Sequence, residues 1–193
     1  MKPLFRFAAA AVVALCSING YSQNKTYLSA GYDHVSYAIS EGRISGSINS
    51  KLGLHAGLGM EFNLASNLYL DGQLNYLYAN FEKDGLSVDA HSLYLPLRLK
   101  TKAPISENAS LSFFAGPVAS YGISGKLSFG GYKEDLYDSN LERFDVKAGI
   151  GCGIEFNDRF GINVSYDWGL LDLVDEDTSN KVNVLQAGIR LYF

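Results

Sequence analysis

The sequence contains little cysteine, little proline and no long hydrophobic run. Its 193 residues include 2 Cys, 4 Pro and 1 Trp, against 20 Gly and 13 Tyr. After Asn24 no stretch approaches the roughly 18 consecutive apolar residues of a membrane-spanning helix, so a helical transmembrane segment is excluded. A low proline content combined with many glycines and aromatic residues is typical of a β protein.

The N-terminal segment indicates export. A basic start and a short apolar run (Phe7–Leu15) precede small residues on the N-terminal side of Gln23, which is the pattern of a secretory signal peptide. We therefore predict a cleaved signal peptide at residues 1–22 and one mature domain at residues 23–193. Acylation of Cys16, as in a lipoprotein, is the alternative, and the bulky Leu15 before it argues against it. Cleavage leaves Cys152 as the only cysteine, so the mature chain has no intramolecular disulfide.

Strict alternation of apolar and polar residues recurs through the mature chain. In "KLGLHAGLGMEFNL" (51–64) every second residue is apolar, which predicts a strand with one apolar face. Seven further segments behave similarly, giving eight predicted strands. Three connections are short, and four are long and polar (34–50, 80–91, 125–142 and 172–181). This asymmetry predicts an all-β, eight-stranded antiparallel up-and-down transmembrane β-barrel.

The polar faces of the predicted strands carry acids and bases in nearly equal number. These predicted interior residues are Glu61, Asp71, Arg98, Lys100, Asp145, Lys147, Glu155, Asp167 and Arg190. Five acids and four bases nearly cancel, as expected if they pair across a narrow space. Because eight strands enclose an interior just wide enough for side chains, we predict a filled lumen and no open pore.

The apolar faces carry aromatic residues near both strand ends. At the short-connection ends these are Phe62, Phe113, Phe156, Phe160 and Phe193. Towards the long-connection ends they are Tyr76, Tyr78, Tyr121, Phe144, Tyr166 and Trp168. Two aromatic belts flanking an uncharged band of Leu, Ile, Val and Ala predict an outward face in contact with lipid.

Two prolines are at odds with a closed sheet. Pro96 and Pro117 lie inside predicted strands, where a missing N–H has no free edge to face. We expect a β-bulge at each of the two prolines.

Four segments carry a family resemblance: "LYLPLRLK", "FFAGP", "DVKAGIGCGIEF" and the final "IRLYF". From Asn24 to Phe193 the chain resembles the small outer-membrane β-barrels of Bacteroidetes-type bacteria, which are related in architecture to OmpX- and OmpA-like proteins. The resemblance implies an outer-membrane location. It also implies that the terminal Phe193 is read by the barrel-assembly machinery during folding.

The sequence is poor in catalytic and ligand-binding signals. His34 and Ser36, in "DHVS", share a strand phase, and a lipid A-modifying enzyme centred on them is one alternative. A soluble periplasmic ligand-binding barrel, with a cavity lined by Leu52, Leu70, Leu95 and Ile150, is another. The three histidines lack metal-ligand spacing, and the scattered basic residues with a net charge of −4 do not indicate a nucleic-acid partner.

We therefore predict a structural, adhesive or surface-interaction role for a protein that is not an enzyme and has no cofactor. Outer-membrane lipid and lipopolysaccharide are the expected surroundings. The long connections are the expected contact surface, since loops on a rigid scaffold carry function. The candidate contact residues are Tyr132, Tyr137, Asp175, Glu176 and Asp177.

Overall fold

The structure is a computed structural model that describes residues 24–41, 44–83, 86–129, 132–135, 143–171 and 178–193. Over these residues the chain forms ten β-strands. None of the described residues belongs to a helix long and apolar enough to cross a membrane. The predicted signal peptide at residues 1–22 lies outside the described residues.

Eight long strands form a closed antiparallel ring. Ring strands that follow each other along the chain are paired, and the last strand pairs with the first. The ring strands are β1 (Lys25–Glu41), β3 (Leu52–Ala65), β4 (Leu68–Lys83), β5 (Leu86–Ser106), β6 (Ala109–Phe129), β8 (Phe144–Phe156), β9 (Phe160–Gly169) and β10 (Thr178–Tyr192). Two short strands, β2 (Ile44–Asn49) and β7 (Tyr132–Asp135), pair with the outer parts of β1 and β6. The predicted eight-stranded up-and-down barrel is confirmed.

The register of the ring fixes the tilt of the strands. Directly opposed residues, followed once around the ring, are Leu68, Thr101, Phe113, Cys152, Val164, Ala187, Tyr32, Leu54 and Tyr78. The row returns to β4 ten residues beyond its start (78 − 68 = 10). With about 3.3 Å per residue and about 4.8 Å between strands, this stagger tilts the strands by about 40°.

The strands continue well past the segments predicted from the sequence. At this tilt about ten residues cross the apolar band of about 25 Å, whereas β5 and β6 have 21 residues each. The prediction that residues 34–50, 80–91, 125–142 and 172–181 are loops was therefore wrong for most of the described part of these segments. In the outer extensions the apolar side chains point inward, as for Val35, Phe81 and Val182. Apolar and polar residues still alternate there, but the apolar ones point inward and the polar ones outward.

Neither proline produces the expected bulge. Pro96 is directly opposite Val118, and Pro117 is opposite Ala148, with continuous register on both sides. Residue pairing is interrupted next to each proline, while the register shifts lie elsewhere, for example between Asn63 and Ala65. The barrel accommodates the missing N–H groups by omitting ladder bonds and keeps the same residue count on both strands.

Inward-facing glycines make room for the large side chains of the lumen. A Cβ on Gly59 would lie 2.1 Å from the Tyr27 ring, and one on Gly151 would lie 2.3 Å from the Phe114 ring. These close approaches leave no space for even a methyl group. The glycines on the polar phase of the strands therefore allow aromatic rings to fill a narrow barrel.

Gly31 at the closing pair of strands provides a test of this packing. A Cβ there would lie 2.3 Å from the Ala187 carbonyl oxygen and 2.6 Å from the Gly188 Cα, both of them backbone atoms. We expect Gly31→Val to lower the free energy of unfolding by about 1–3 kcal/mol or more, because β1 and β10 must separate. The measurement is urea unfolding in lipid vesicles, followed by the migration difference between unboiled and boiled samples on a gel. Ala30→Val, whose side chain points outward, is the matched control and should unfold like the unsubstituted protein.

Candidate functional site

The two faces of the sheet have opposite polarity from those of a soluble barrel. Leu54, Leu97 and Ile189 are 47%, 43% and 43% exposed on the outer face, whereas Glu61, Arg98 and Arg190 are 0%, 2% and 2% exposed. Leu52, Leu95 and Ile150 also lie on the outer face. They therefore line no internal cavity, and the alternative of a soluble ligand-binding barrel was wrong.

All nine predicted interior residues are buried in the lumen. The lumen holds further residues, which are Tyr27, Asp33, His55, Gln73, Asn75, Tyr94, Lys102, Phe114, Gln186 and Tyr192. Of these, sequence reasoning missed Tyr27, Asp33, Lys102 and Phe114. Lys102 was not among the predicted interior residues, but β5 extends to Ser106 and carries Lys102 inside. The signal that could have found it is its phase, because Lys102 continues the alternation of Arg98 and Lys100.

The end of the lumen nearest the short turns is closed by a four-charge cluster. Lys100 Nζ donates to Glu61 Oε1 at 2.5 Å and also contacts Glu155. Lys102 Nζ donates to Glu61 Oε2 at 2.5 Å and to Glu155 Oε2 at 2.6 Å. The Tyr192 hydroxyl donates to Glu61 Oε1 at 2.9 Å. Two carboxylates and two ammonium groups neutralise each other across three strands.

A second layer is centred on Arg190 and Asp71. Arg190 Nη1 donates to Asp71 Oδ2 at 2.8 Å, and the Tyr27 hydroxyl donates to Asp71 Oδ1 at 2.5 Å. The amide nitrogen of Gln73 donates to Ser29 Oγ at 2.6 Å and to Asn75 Oδ1 at 2.9 Å. These bonds connect β1, β4 and β10 through the lumen and satisfy both oxygens of the Asp71 carboxylate.

The next layer holds two further carboxylates. Arg98 Nη2 donates to Asp167 Oδ1 at 2.7 Å, and the Tyr94 hydroxyl donates to Asp167 Oδ2 at 2.6 Å. His55 Nδ1 lies 2.9 Å and 3.0 Å from the two oxygens of Asp33. His55, which the sequence placed on the inward face, thus belongs to the lumen network.

The outer part of the interior is apolar. A cluster of buried residues closes it, consisting of Val35, Leu77, Ala79, Phe81, Ala90, Tyr94, Val118, Val182 and Val184. The lumen therefore changes from charged to apolar along its axis. Side chains fill both zones, and this arrangement leaves no route for a polar solute through the described part of the barrel.

The aromatic residues of the outer face follow the predicted belts with one exception. Phe113, Phe156, Phe193, Tyr76, Phe144 and Trp168 are exposed, and Phe160, Tyr78, Tyr121 and Tyr166 are partly covered. Phe62 is only 7% exposed, so its assignment to the lipid-facing belt was wrong. It lies beside the register shift between Asn63 and Ala65, and such an irregularity re-aims neighbouring side chains.

On the same face, a hydrogen-bonded cluster joins two tyrosines of the outer belt to polar side chains. The Tyr76 hydroxyl contacts His91 Nδ1 at 2.5 Å, and the Tyr78 hydroxyl donates to Asp89 Oδ1 at 2.7 Å. Asn80 donates to the same oxygen at 2.9 Å. These hydrogen bonds, that from Tyr78 first, lower the pKa of Asp89, because they stabilise its charged form. The cluster marks the level at which the outer face becomes polar.

The alternative catalytic pair is not assembled into a site. His34 and Ser36 lie on the outer face of β1, where His34 is directly opposite Leu185 of β10. Asp33, on the other face, is bonded to His55 and Gln186 inside the lumen. Within the described ranges, no group of three or more His, Cys, Asp and Glu side chains is arranged to hold a metal ion.

The predicted loop contacts are only partly covered by the structure. Tyr132 is the first residue of β7, which extends the sheet beyond β6. Tyr137, Asp175, Glu176 and Asp177 lie outside the described residues.

The four-charge cluster gives a prediction about stability. We expect Glu61→Gln to lower the free energy of unfolding by about 3–5 kcal/mol, since it leaves Lys100 and Lys102 with an uncompensated buried charge. Equilibrium urea unfolding in vesicles measures the effect. Asp158→Asn, which removes the exposed pair with Lys25, is the control and should change stability by at most about 1 kcal/mol. Equal effects of the two substitutions contradict a buried network.

The outer face gives a prediction that depends on depth. Leu97 lies midway between the belts, and Leu64 lies next to the short turn between β3 and β4. We expect Leu97→Arg to make folding into vesicles less favourable by about 2–4 kcal/mol, and Leu64→Arg to do so by at most about 1 kcal/mol. Similar costs at the two positions are incompatible with a bilayer around this face.

Comparisons with known proteins agree with this architecture. A family model described as an outer membrane protein beta-barrel domain matches residues 17–175. The crystal structure of neisserial surface protein A is similar at 13% identity and a TM-score of 0.52, with 87% of this chain and 97% of that chain covered. Ail, the attachment invasion locus protein of Yersinia pestis, is similar at 20% identity and a TM-score of 0.46, covering 88% and 99%. The outer membrane enzyme PagL is similar at 13% identity and a TM-score of 0.45, covering 82% and 98%. No curated protein sequence matches.

Proposed function

The chain belongs to the outer membrane protein β-barrel family, and from that premise we propose that it acts at the cell surface as a structural and contact-making protein. The barrel lies in the outer membrane. The observation that carries the proposal is the filled lumen, in which charged and apolar side chains occupy the interior from one end to the other. Because side chains fill the interior of the described part of the barrel, we infer that the surfaces outside the membrane carry the function.

The outer extensions support a role in contact. β5 and β6 have 21 residues each, about ten more than the apolar band requires, and most of the excess lies on the outer side, where β2 and β7 add pairing. Connections that start there are held away from the lipid headgroups by a packed sheet. We propose that Tyr132, Tyr137, Asp175, Glu176 and Asp177 contribute to the contact surface, as tyrosine is enriched in interfaces.

We also propose how the barrel is surrounded and inserted, and which type of the family it represents. Lipopolysaccharide surrounds the outer aromatic belt, where acidic loops are bridged to its phosphates by divalent cations. The barrel-assembly machinery inserts the chain by reading the final strand, which ends at Phe193. The chain is of the Bacteroidetes type.

A lipid-modifying activity centred on His34 and Ser36 is the second candidate. The placement of His34 and Ser36 argues against it. A serine nucleophile needs a histidine that is in turn oriented by a third group, and Asp33 is committed to the lumen on the opposite face. We therefore propose that the protein is not an enzyme and has no cofactor.

Contact through the outer loops can be tested with a matched pair of variants. In a deletion strain we expect weaker adhesion to an epithelial monolayer or greater sensitivity to bile salts, and restoration by the unsubstituted gene. The double variant Tyr132→Ser/Tyr137→Ser should fail to restore adhesion. The double variant Asn67→Ala/Glu107→Ala, in the short turns at the opposite end, should restore it.

Two results contradict the proposal. One is a deletion strain that matches its parent in both adhesion and bile-salt sensitivity. The other is a change in lipid A, measured by mass spectrometry, that returns to normal with the unsubstituted gene but not with His34→Ala.

A further inference from the structure

A shallow groove crosses the lipid-facing surface of the barrel. It runs from Leu68 on β4 to Leu185 on β10 and has a volume of about 680 Å³. Its floor is the backbone at residues whose side chains point into the lumen, such as Lys100 and Phe114. Its walls are two rows of outward-facing side chains, one on each side of that backbone. We call this space the lateral groove.

The strand register sets the path of the lateral groove through the apolar band. Directly opposed residues of neighbouring strands form each wall, for example Thr101, Phe113 and Cys152 in one wall and Leu99, Ala115 and Ile150 in the other. From β4 to β10, steps of about 4.8 Å between strands make the groove about 24 Å long. At a strand tilt of about 40° it rises by about 15 Å from the level of the short turns, which is more than half of the apolar band of about 25 Å.

Small side chains keep the lateral groove open. On each strand the two wall residues are two positions apart, which separates the walls by about 6.6 Å. A small wall residue accompanies a large one on the central strands, as Ala115 does beside Phe113 and Cys152 beside Ile150. Because non-bonded carbon atoms pack about 3.5–4.0 Å apart, a single file of carbon atoms can contact both walls and the floor. A methyl branch would meet a wall and lift the chain off the floor.

The chemistry of the lining suits hydrocarbon. The wall side chains are apolar apart from the hydroxyl groups of Thr101 and Tyr166 and the thiol of Cys152. Lys100 contributes only backbone, since its ammonium group lies in the lumen with Glu61. The lateral groove is continuous with the outer face that contacts the bilayer, so acyl chains are the groups that reach it.

We propose that the lateral groove binds one extended, unbranched acyl chain of an inner-leaflet phospholipid, in preference to a methyl-branched chain. The chain enters at the level of the short turns, beside Leu68, because those turns lie on the periplasmic side. Its methylene groups lie along the backbone floor between the two walls. A second copy of the barrel fits less well, since a convex sheet cannot enter a groove one carbon file wide. The proposal rests on the outer-membrane location and is independent of the role of the loops.

The test is a competition between two lipids in nanodiscs. The protein, with labelled Ile, Leu and Val methyl groups, is placed in an equimolar mixture of straight-chain dimyristoyl- and methyl-branched diphytanoyl-phosphatidylcholine. NOEs from lipid chains to protein methyl groups are measured with and without deuteration of the dimyristoyl chains, which separates the two lipids. We expect the ratio of straight-chain to branched-chain NOE to be at least about threefold higher at Ile150 and Val164 than at Leu74, which faces lipid outside the groove.

A matched pair of variants locates the preference. Ala115→Phe places a ring over the floor of the lateral groove and should lower the ratio at Ile150 and Val164 to that at Leu74. Ala30→Phe adds the same ring to the outer face of β1, away from the groove, and should leave the ratio unchanged. The gel migration difference between unboiled and boiled samples verifies that each variant is folded.

Three outcomes overturn the proposal. Equal ratios at Ile150, Val164 and Leu74 remove the preference for an unbranched chain. A preference that survives Ala115→Phe places the bound chain elsewhere. Lipid NOEs that are present at Leu74 but absent at Ile150 and Val164 show that a protein surface, such as a second copy, covers the groove.

Discussion

The structure depends on the mutual neutralisation of charges in a lumen that side chains fill. Six buried residues are carboxylates and five are Lys or Arg, and the sixth carboxylate, Asp33, is met by His55 and Gln186. An isolated buried charge costs several kcal/mol, so the interior is tolerable only as a connected network. Lys147 pairs with Asp145 within β8, but the bridges made by the other four cations join strands distant in sequence, so the network also holds the ring together. The outer face needs no such compensation, since apolar side chains there meet hydrocarbon.

The outward orientation of apolar side chains ends where the surrounding medium changes from lipid to water. Between the belts, lipid outside favours apolar residues outward and leaves the polar ones inside. Beyond the outer belt, water replaces lipid, and the preference reverses, with Leu77, Ala79 and Phe81 turning inward while Asn80 and Glu82 turn outward. The same strand therefore turns its apolar side chains outward within the bilayer and inward beyond it. The hydrogen-bonded cluster of Tyr78, Asp89 and Asn80 lies at the level where this change occurs.

This reversal explains which features could be predicted from the sequence. Within the bilayer the period-two pattern identified the eight strands and the inward phase of residues such as Arg98 and Asp145. The outer extensions were predicted to be polar connections because their apolar residues point inward, which interrupts the pattern of outward apolar residues. Pairing partners, such as Lys102 with Glu61, depend on a register that no single strand encodes. Whether Pro96 and Pro117 produce a bulge also depends on the opposing strand, because the ladder bond that is omitted is a bond to that strand.

The change from charged to apolar packing also means that the residues that stabilise the barrel lie apart from the surface that could contact a partner. The charged layers lie within the bilayer. Removal of one partner there leaves an unpaired ion in a space of low dielectric constant, so those positions tolerate few substitutions. The apolar outer core resembles that of a soluble sheet, in which substitutions of similar volume are absorbed by repacking. Loops fixed to that outer core can change without disturbing the charge network below. A barrel divided in this way keeps its membrane anchor constant while the surface it presents outside the cell is free to diversify.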